Sequence, residues 1–415
     1  MPKLYLSYLI FIDENCLYLK DRKCGICKTV CKTNAIDFNQ KPEYRTIKVG
    51  AIILSPGFSP YEAQKLKEYG YGKYENVVTS LDYERLLCAT GPYSGEILRK
   101  TDLKHPHKIA WIQCIGSRSV LPEANSYCSS VCCAYTQKQV ILTKDHDPDA
   151  ECTVFYIDIR SYGKDFERFF QRASKLSKTR FIRSAVSIVG ENPFNKNLTL
   201  RYSTFEGGTV DGEFDMVVLS IGLNPPKANK KFSEIFGVNL NEYGFCNTNE
   251  ITPMETNVSG IYVSGCFQRP MDIPEAVFSA SAAMAKCSEL LSKRRGKLSK
   301  KKQYPQERNV ANETPRVGVY VCHCGANIGR VVDVKKSMEE IRKLENVVHV
   351  EENLFICSTE AAAMLVKDIK ERQLNRVVVA ACTPRTHEPL FRETLREAGL
   401  NQYYFEFANI REHCS

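Results

Sequence analysis

The chain has 415 residues, of which 43% are hydrophobic and 25% are charged, a composition typical of a folded protein with two or three domains. No stretch approaches the roughly 20 consecutive apolar residues of a transmembrane helix, which excludes a membrane span of that kind. The formal net charge of +9 comes mostly from residues 293–316, where nine Lys or Arg and two Glu give +7. This stretch lacks apolar periodicity, so it is predicted to be a solvated basic linker over 293–315 and not a nucleic-acid-binding surface.

Eighteen cysteines, most of them in tight clusters, are the most informative feature of the composition. The amino-terminal residues Met1-Pro2-Lys3 are followed by no long apolar core, so a secretory signal is not expected and a reducing cytoplasm is. In that compartment, closely spaced cysteines favour metal binding over the alternative of a disulfide framework.

The first predicted domain, residues 1–44, is a ferredoxin-like segment. Cys24, Cys27 and Cys31 are two and three residues apart, and Cys16 lies eight residues before Cys24. Thiolates at such spacings can bind different irons of one cubane, so these four cysteines are predicted to ligate a 4Fe–4S cluster. An alternative stays open for Cys31, because the last cysteine of such a run serves the neighbouring cluster in two-cluster ferredoxins.

Residues 45–292 alternate short apolar strands with helical patterns, which predicts an α/β domain with a parallel sheet. Three of the strands share a pattern, in that each runs into a turn containing glycine. The predicted elements are strands within 49–58, 108–113, 153–157, 214–225 and 260–265, helices around 132–143 and 164–176, and an Ala-rich helix capped by Asp272.

This arrangement resembles the flavoproteins of the thioredoxin reductase type, which contain two dinucleotide-binding domains. In that family a strand ending in a glycine turn marks each return of the chain to the FAD domain, and a helix N-terminus offers N–H groups to flavin or phosphate oxygens. The alternative is that these are core strands of another α/β domain. The resemblance implies an FAD site lined by Gly57, Gly222, Gly265, Asp272, Ile273 and Val277.

The sequence lacks the usual loop for the pyrophosphate of a dinucleotide. No Gly-x-Gly-x-x-Gly follows any predicted strand, and the glycines of 207–212 precede a strand, which predicts a hairpin turn instead. The domain is therefore predicted to lack its first Rossmann-type half. This chain alone should bind FAD weakly, and it should not bind a pyridine nucleotide.

A second group of cysteines occupies the position where a nicotinamide site would lie. Cys114 follows a predicted strand, Cys128 lies in the next loop, and Cys132 and Cys133 begin a helix. Ligands converge at the carboxyl ends of strands in an open α/β sheet, and a helix N-terminus favours thiolate. These four residues are predicted to hold a second cluster; the alternatives are buried, inert cysteines and a reducible dithiol.

Residues 316–415 form a third predicted domain, a βα repeat with a parallel sheet, because strands ending near 322, 356, 381 and 407 alternate with helical patterns. Each strand delivers a cysteine to one edge, which predicts a 4Fe–4S cluster. Cys322 and Cys324 are too close for both to be relaxed ligands, and Cys324 is preferred because of the flexible turn at Gly325. His387 and Glu388 are interpreted as groups around the cluster or at a helix cap. The predicted ligands are Cys324, Cys357, Cys382 and Cys414.

Together these motifs resemble the A subunits of heterodisulfide reductases, the FAD and iron–sulfur electron-transfer subunits of methanogens and related anaerobes. The resemblance covers nearly the whole chain apart from the linker. The matching motifs lie at 111–118, 127–133, 156–160 with 163–164, 272–277, 321–325, 381–391 and 409–414.

The resemblance implies a cytoplasmic oxidoreductase subunit. In that family FAD accepts electron pairs from a hydrogenase or formate dehydrogenase partner and divides them between the B and C subunits, which reduce the disulfide, and ferredoxin. Two alternatives stay open: a quinone-interacting oxidoreductase component, and a passive iron–sulfur carrier without flavin chemistry. The order of the modules differs from the family pattern, as in a window across two fused copies, with the glycine fingerprint expected upstream of residue 1.

Overall fold

The computed structural model describes residues 16–31, 36–41, 43–88, 91–204, 206–324 and 327–414. The amino-terminal residues used to judge secretion and the turn residue Gly325 lie outside these ranges. Contacts divide the chain into two compact units: the first contains the described residues of Pro42–Leu298, and the second contains those of Ile10–Lys41 and Ser299–Ser415. The amino-terminal segment holds two short helices, α1 (Leu17–Asp21) and α2 (Ile26–Val30).

The first unit contains most of the regular secondary structure. Its strands and longer helices are, in chain order, β1 (Ile52–Leu54), β2 (Ser59–Pro60), β3 (Val77–Thr79), α3 (Ser80–Leu87), β4 (Lys108–Ile115), α4 (Cys132–His146), β5 (Glu151–Tyr156), α5 (Phe166–Ser174), β6 (Thr179–Arg183), β7 (Val186–Glu191), β8 (Leu198–Ser203), β9 (Thr209–Phe214), β10 (Met216–Ile221), β11 (Leu223–Asn224), α6 (Asn229–Phe236), β12 (Ile261–Val263) and α7 (Ile273–Leu290).

A five-stranded parallel sheet with the order β3-β10-β4-β5-β6 forms the centre of this unit. All six residues of β10 are buried, as expected for a parallel strand covered on both faces. Residues of α3 and α4, such as Tyr83 and Val140, pack on one face. The antiparallel sheet β7-β8-β9 covers the other face, with Leu198 and Leu200 in its core. The hairpin turn predicted at 207–212 is confirmed in part: Gly207 and Gly208 lie in the β8–β9 turn, whereas residues 209–212 already belong to β9.

A smaller layer is formed by β1 and β12, which pair in parallel with Leu54 opposite Val263. Helix α7 packs against these strands through Ala283 and Cys287. Asp272 caps α7 in a reciprocal arrangement with Glu275, so the predicted cap is confirmed. Because both strands are short and parallel, their carboxyl ends open side by side at one edge.

The second unit also contains a parallel sheet. Its strands and helices are β13 (Val317–Cys322), α8 (Val334–Ile341), β14 (Val347–Asn353), α9 (Thr359–Glu371), β15 (Arg376–Ala381), α10 (Pro384–Ala398), β16 (Phe405–Asn409) and α11 (Ile410–Cys414).

These strands have the order β14-β13-β15-β16 and are all parallel. Leu365 of α9 and Phe391 of α10 pack on one face, and Val334 and Met338 of α8 pack on the other. The predicted βα repeat is therefore confirmed, and with the parallel sheet of the first unit it confirms the predicted α/β fold class. Among the described residues, no helix has both the length and the apolar character needed to cross a membrane.

The second half of the predicted solvated linker lies on the surface of α10. The phenol of Tyr304 donates to Glu393 Oε1 at 2.5 Å, and the Arg396 guanidinium stacks 3.9 Å from the centre of the Tyr304 ring. Further along, Arg308 N donates to Gly399 O at 2.9 Å and Val310 is fully buried. This part of the basic stretch is thus anchored to the second unit at Tyr304, Arg308 and Val310, while its other residues are exposed as predicted.

Candidate functional site

The cysteine group of the first unit lies at the carboxyl ends of the central strands. Cys114 is near the end of β4, and Cys132 and Cys133 begin α4, which follows the loop containing Cys128. The backbone here is unusual, because Cys114 has φ +61° and Gly116 has φ +75°. A Cβ at Gly116 would lie 2.2 Å from the Tyr61 ring, so this tight turn requires glycine.

The four thiols converge as the sequence predicts. Cys114 interacts electrostatically with Cys133 and Cys128, and Cys132 interacts with all three of the others. Burial raises the pKa of the Cys114 thiol to about 11 and also raises the pKa of Cys132 and Cys133. The cavity between them is about 10 Å³, room for one water molecule. A metal cluster bound here must displace thiol protons and push the side chains outward.

Two arginines beside these thiols were not predicted from the sequence. Arg118 interacts with Cys114, and its buried Nη1 atom makes no hydrogen bond but lies 3.9 Å from Asp158 Oδ2. The backbone N–H of Arg160 donates to Cys133 Sγ at 3.4 Å, and its side chain reaches Cys128. A negatively charged sulfur group would give Arg118 Nη1 a hydrogen-bond acceptor, so the residues fit a thiolate-ligated cluster. The signal in the sequence was the family motif that contains Arg118.

Gly222, one of the glycines of the predicted flavin site, lies beside this group. It follows β10, and a Cβ there would lie 2.2 Å from Ser117 Oγ and 2.5 Å from Ser129 Oγ. Its carbonyl accepts from Tyr61 N at 2.9 Å. The absence of a side chain at this position is therefore explained by packing, and contact with a flavin stays a prediction.

Gly57 and Gly265 occupy equivalent places after β1 and β12. They have φ +79° and +64°, and a Cβ on either would meet nothing within 4 Å. Ile273 and Val277 of α7 are 81% and 57% exposed. Open space beside paired strand ends, together with exposed apolar side chains, fits a planar aromatic ligand.

The N-terminus of α7 differs from the expectation that it offers N–H groups to phosphate oxygens. Pro274 has no N–H, Glu275 N donates to Asp272 Oδ1 at 2.8 Å, and Ala276 N donates to Asp272 O at 2.9 Å. Of the first four residues of the helix, Ile273 alone has a backbone donor outside these bonds. Asp272 therefore acts as a helix cap, and the end of α7 is poorly suited to bind a diphosphate.

In the amino-terminal segment all four predicted ligands are half-buried. Cys16 precedes α1, Cys27 lies within α2, and Cys24 and Cys31 flank α2. The ring of Tyr18 stacks on Phe38 with 3.9 Å between centroids, which closes this small segment around the helices. Cluster binding here stays a prediction.

In the second unit, the ends of the first three strands in chain order bring cysteines together. Cys382 interacts electrostatically with Cys324 and Cys357, and Cys322 interacts with the same two residues. Burial raises the pKa of Cys322 and Cys382. Arg411 contacts Cys324 and faces Cys382, so this group, like the first, has a guanidinium beside its thiols.

The choice between Cys322 and Cys324 stays a prediction. Cys322 is buried, and its Sγ accepts from Cys324 N at 3.2 Å. Cys324 has φ +48° and is partly exposed, as expected of a residue on a turn. N–H groups directed at sulfur stabilise thiolate, so this hydrogen bond would favour the ligating form of Cys322, an effect that cysteine spacing does not reveal.

A cavity of about 600 Å³ lies beside the ends of β15 and β16. Cys414 ends α11, three residues after Arg411, where it is exposed and does not line this cavity. Glu388 forms an ion pair with Arg392 one turn along α10, so its carboxylate is engaged away from the helix cap. The cavity is lined by Thr383, Pro384, Arg385, Phe407, Asn409, Glu412 and His413.

Comparison with known proteins identifies relatives of this chain among curated sequences. No protein-family model matches the chain. The iron–sulfur A subunit of the CoB–CoM heterodisulfide reductase of Methanocaldococcus jannaschii is 40% identical over 372 residues, which cover 89% of this chain and 55% of that protein. The A subunit of the H2:CoB–CoM heterodisulfide, ferredoxin reductase of Methanothermobacter thermautotrophicus is 38% identical over 269 residues, 64% of this chain and 40% of that protein.

Among solved structures, the thioredoxin reductase of Lactococcus lactis covers 59% of this chain and 66% of its own, with 20% identity and a TM-score of 0.37. That value is too low to support an argument about ligands. The chain spans about half the length, or less, of the two heterodisulfide reductase proteins. Their identity confirms the relationship that the motifs predict: this chain is a homologue of the A subunits of heterodisulfide reductases.

Proposed function

We propose that this chain is an electron-transfer part of a heterodisulfide reductase-type oxidoreductase that holds iron–sulfur clusters and one side of a flavin site. The observation that carries the proposal is the convergence of thiols at the carboxyl edges of two separate parallel sheets. Core packing gives no reason for thiols to gather there with arginines, whereas cluster binding does. The proposed ligands are Cys114, Cys128, Cys132 and Cys133; Cys324, Cys357, Cys382 and Cys414; and Cys16, Cys24, Cys27 and Cys31.

Bound 4Fe–4S clusters would supply one-electron transfer at potentials set by their surroundings, and FAD would supply exchange between electron pairs and single electrons. The chain's own residues prepare the sites. Arg118 and Arg160 place positive charge beside the first group, and Arg411 does so beside the second. This charge favours deprotonated thiols and stabilises further negative charge, so these arginines should raise the reduction potentials.

For the flavin, the chain would contribute one side of the binding site, made of the strand ends and the start of α7. Gly57 and Gly265 leave the strand ends open, and Ile273 and Val277 offer apolar contact that excludes water. The capped end of α7 and the absence from the sequence of a glycine-rich loop leave the diphosphate with few donors. FAD should therefore bind weakly to this chain by itself.

The relatives' names suggest the partners. They mention H2, formate and ferredoxin together with CoB–CoM heterodisulfide. We accordingly propose a hydrogenase or formate dehydrogenase as electron donor, and the B and C subunits of heterodisulfide reductase and ferredoxin as acceptors, in the cytoplasm. A second candidate function, an iron–sulfur carrier without flavin chemistry, is favoured by the capped N-terminus of α7.

The test is anaerobic purification followed by iron and sulfide analysis, electron paramagnetic resonance (EPR) after dithionite reduction, and titration with FAD. Three clusters predict about twelve irons per chain and EPR signals of reduced clusters. Serine substitution of Cys132 and of Cys382, each alone, should remove about four irons, whereas Cys246→Ser should remove none, because Cys246 is buried outside the three groups. A folded, colourless protein without iron would refute the proposal. Iron without any FAD binding would favour the carrier function.

A further inference from the structure

The second unit contains a cluster of one His and two carboxylate side chains that includes no cysteine. His349 and Glu351 are two residues apart on β14, so both side chains point to the same face of the sheet. Helix α9 covers that face and contributes Asp368, which is 6% exposed. His349 Nε2, a Glu351 oxygen and an Asp368 oxygen all lie within 4.8 Å of one another.

We propose that His349, Glu351 and Asp368 bind one divalent transition-metal cation of the Zn²⁺ class. His349 Nε2 is 3.1 Å from Glu351 Oε2 and 3.5 Å from Asp368 Oδ2. In a tetrahedral zinc site with bonds of roughly 2.0–2.2 Å, ligand atoms lie about 3.3–3.5 Å apart. Both distances from His349 Nε2 are thus already near the spacing of ligands around a single ion, and the two carboxylate oxygens lie within 4.8 Å of each other.

Among the three groups themselves, only the His349 ring can donate a hydrogen bond. One ring nitrogen faces two carboxylate oxygens, and a single N–H cannot be directed well at both. A cation bound by the unprotonated nitrogen and by both oxygens satisfies all three atoms and removes the repulsion between the carboxylates. One imidazole nitrogen and two carboxylate oxygens suit Zn²⁺, Mn²⁺ or Co²⁺, and the absence of sulfur from this set of three distinguishes it from the cysteine groups.

The neighbours of Asp368 hold its carboxylate in position. The phenol of Tyr320 donates to Asp368 Oδ2 at 3.2 Å, and Arg372 Nε donates to Asp368 Oδ1 at 3.2 Å. The Tyr320 ring also packs edge-on against His349, with 5.6 Å between centroids. Such outer hydrogen bonds orient metal ligands, although the charge of Arg372 reduces the affinity for a cation. Glu351 is the most exposed ligand, which leaves an open side for water as a fourth ligand.

The proposed ion would connect β14, the edge strand of the sheet, to the helix that covers it. Its role would be structural, because two ligands belong to β14 and one to α9, and the hydrogen bonds of the sheet do not connect this strand to the helix. The site is independent of the iron–sulfur proposal.

The test uses Mn²⁺ as the probe, because a hard cation avoids the thiols that would bind Zn²⁺ directly. The full chain, reconstituted with iron and sulfide, is titrated with Mn²⁺, and loss of the EPR signal of aqueous Mn²⁺ measures binding. We expect one tight equivalent that Zn²⁺ displaces. Asp368→Asn and Glu351→Gln should each weaken it by at least about tenfold. Glu371→Gln, which removes a carboxylate from the exposed side of α9, should change it less than about twofold.

Circular dichroism checks that the variants are folded. His349→Ala provides a third removal that leaves both carboxylates in place, and it should also abolish tight binding. Two results would overturn the proposal: no tight Mn²⁺ equivalent in the wild-type chain, or an equivalent that survives all three ligand substitutions. The first would leave His349 as the centre of an ion-pair network, and the second would place the ion elsewhere.

Discussion

Replacing Gly116 with alanine should destabilise the first unit far more than replacing Gly57 with alanine. The two glycines have nearly the same backbone dihedral φ, +75° and +79°. Alanine in the left-handed region costs roughly 1–2 kcal/mol at either position. The surroundings differ, because a Cβ at Gly57 meets nothing within 4 Å, while one at Gly116 would lie 2.2–2.4 Å from three atoms of the Tyr61 ring.

The difference between the variants follows from how Tyr61 is held. Its side chain is 3% exposed in the core, and its phenol donates to Glu123 O at 2.7 Å. Overpacking a buried site costs about 1–3 kcal/mol. Displacing the ring would also sacrifice a hydrogen bond worth about 0.5–1.5 kcal/mol. We therefore expect the free energy of unfolding of Gly116→Ala to fall about 2–4 kcal/mol below that of Gly57→Ala.

The chain contains a natural reporter for this measurement. Trp111 is the single tryptophan of the sequence, it is fully buried in β4, and its Nε1 donates to Gln139 Oε1 at 3.2 Å. Tryptophan fluorescence during anaerobic urea unfolding therefore follows the first unit alone, which avoids mixing the transitions of two units. Equal stability of the two variants, within about 0.5 kcal/mol, would refute the argument from Tyr61.

Other predictions concern the cofactor sites. Cys24→Ser should lower the iron content of reconstituted protein by about four atoms, with Cys88→Ser unchanged, as measured by iron analysis; equal iron in both would contradict the amino-terminal cluster. Gly265→Ala should weaken FAD binding at least about tenfold by flavin fluorescence, whereas Gly207→Ala, in an equally open left-handed turn, should not. NADH and NADPH should not reduce the flavin-loaded protein at enzymatic rates in stopped-flow absorbance, and rapid bleaching by either would disprove this.

The meeting of the cysteines could be predicted from sequence because parallel strands end at a common edge. Cys114 lies at the end of one strand and Cys382 follows another, and each lies where that rule places it. The arginines could not be placed in this way. Arg160 follows β5 and reaches the thiols because β5 is the neighbour of β4 in the sheet. The hydrophobic periodicity of a sequence predicts strands but not their order in a sheet.

The sequence also contained signals for the satisfied N-terminus of α7 and for the anchoring of the basic stretch. Asp272 is followed by Glu275 three residues later, the pattern of a reciprocal cap, which predicts that the first turn of α7 is already satisfied. In the basic stretch, Tyr304 and Val310 interrupt the charges, and both pack against the second unit. The net charge averages over all residues of such a segment. The contacts of two side chains, Tyr304 and Val310, fix the position of this one on the second unit.

The capped end of α7 leads to a last prediction about which part of a flavin this chain recognises. In the proposed site the open glycine edges and the exposed Ile273 and Val277 would contact a ring system, while the helix end offers few donors to a diphosphate. Each charge-assisted hydrogen bond to a phosphate is worth about 1.5–3 kcal/mol, roughly tenfold or more in affinity. Riboflavin, which has no phosphate, should therefore bind this chain within about tenfold of FAD when both are titrated by fluorescence quenching. An FAD affinity more than about a hundredfold higher would mean that the chain binds the diphosphate after all, through groups other than the N-terminus of α7.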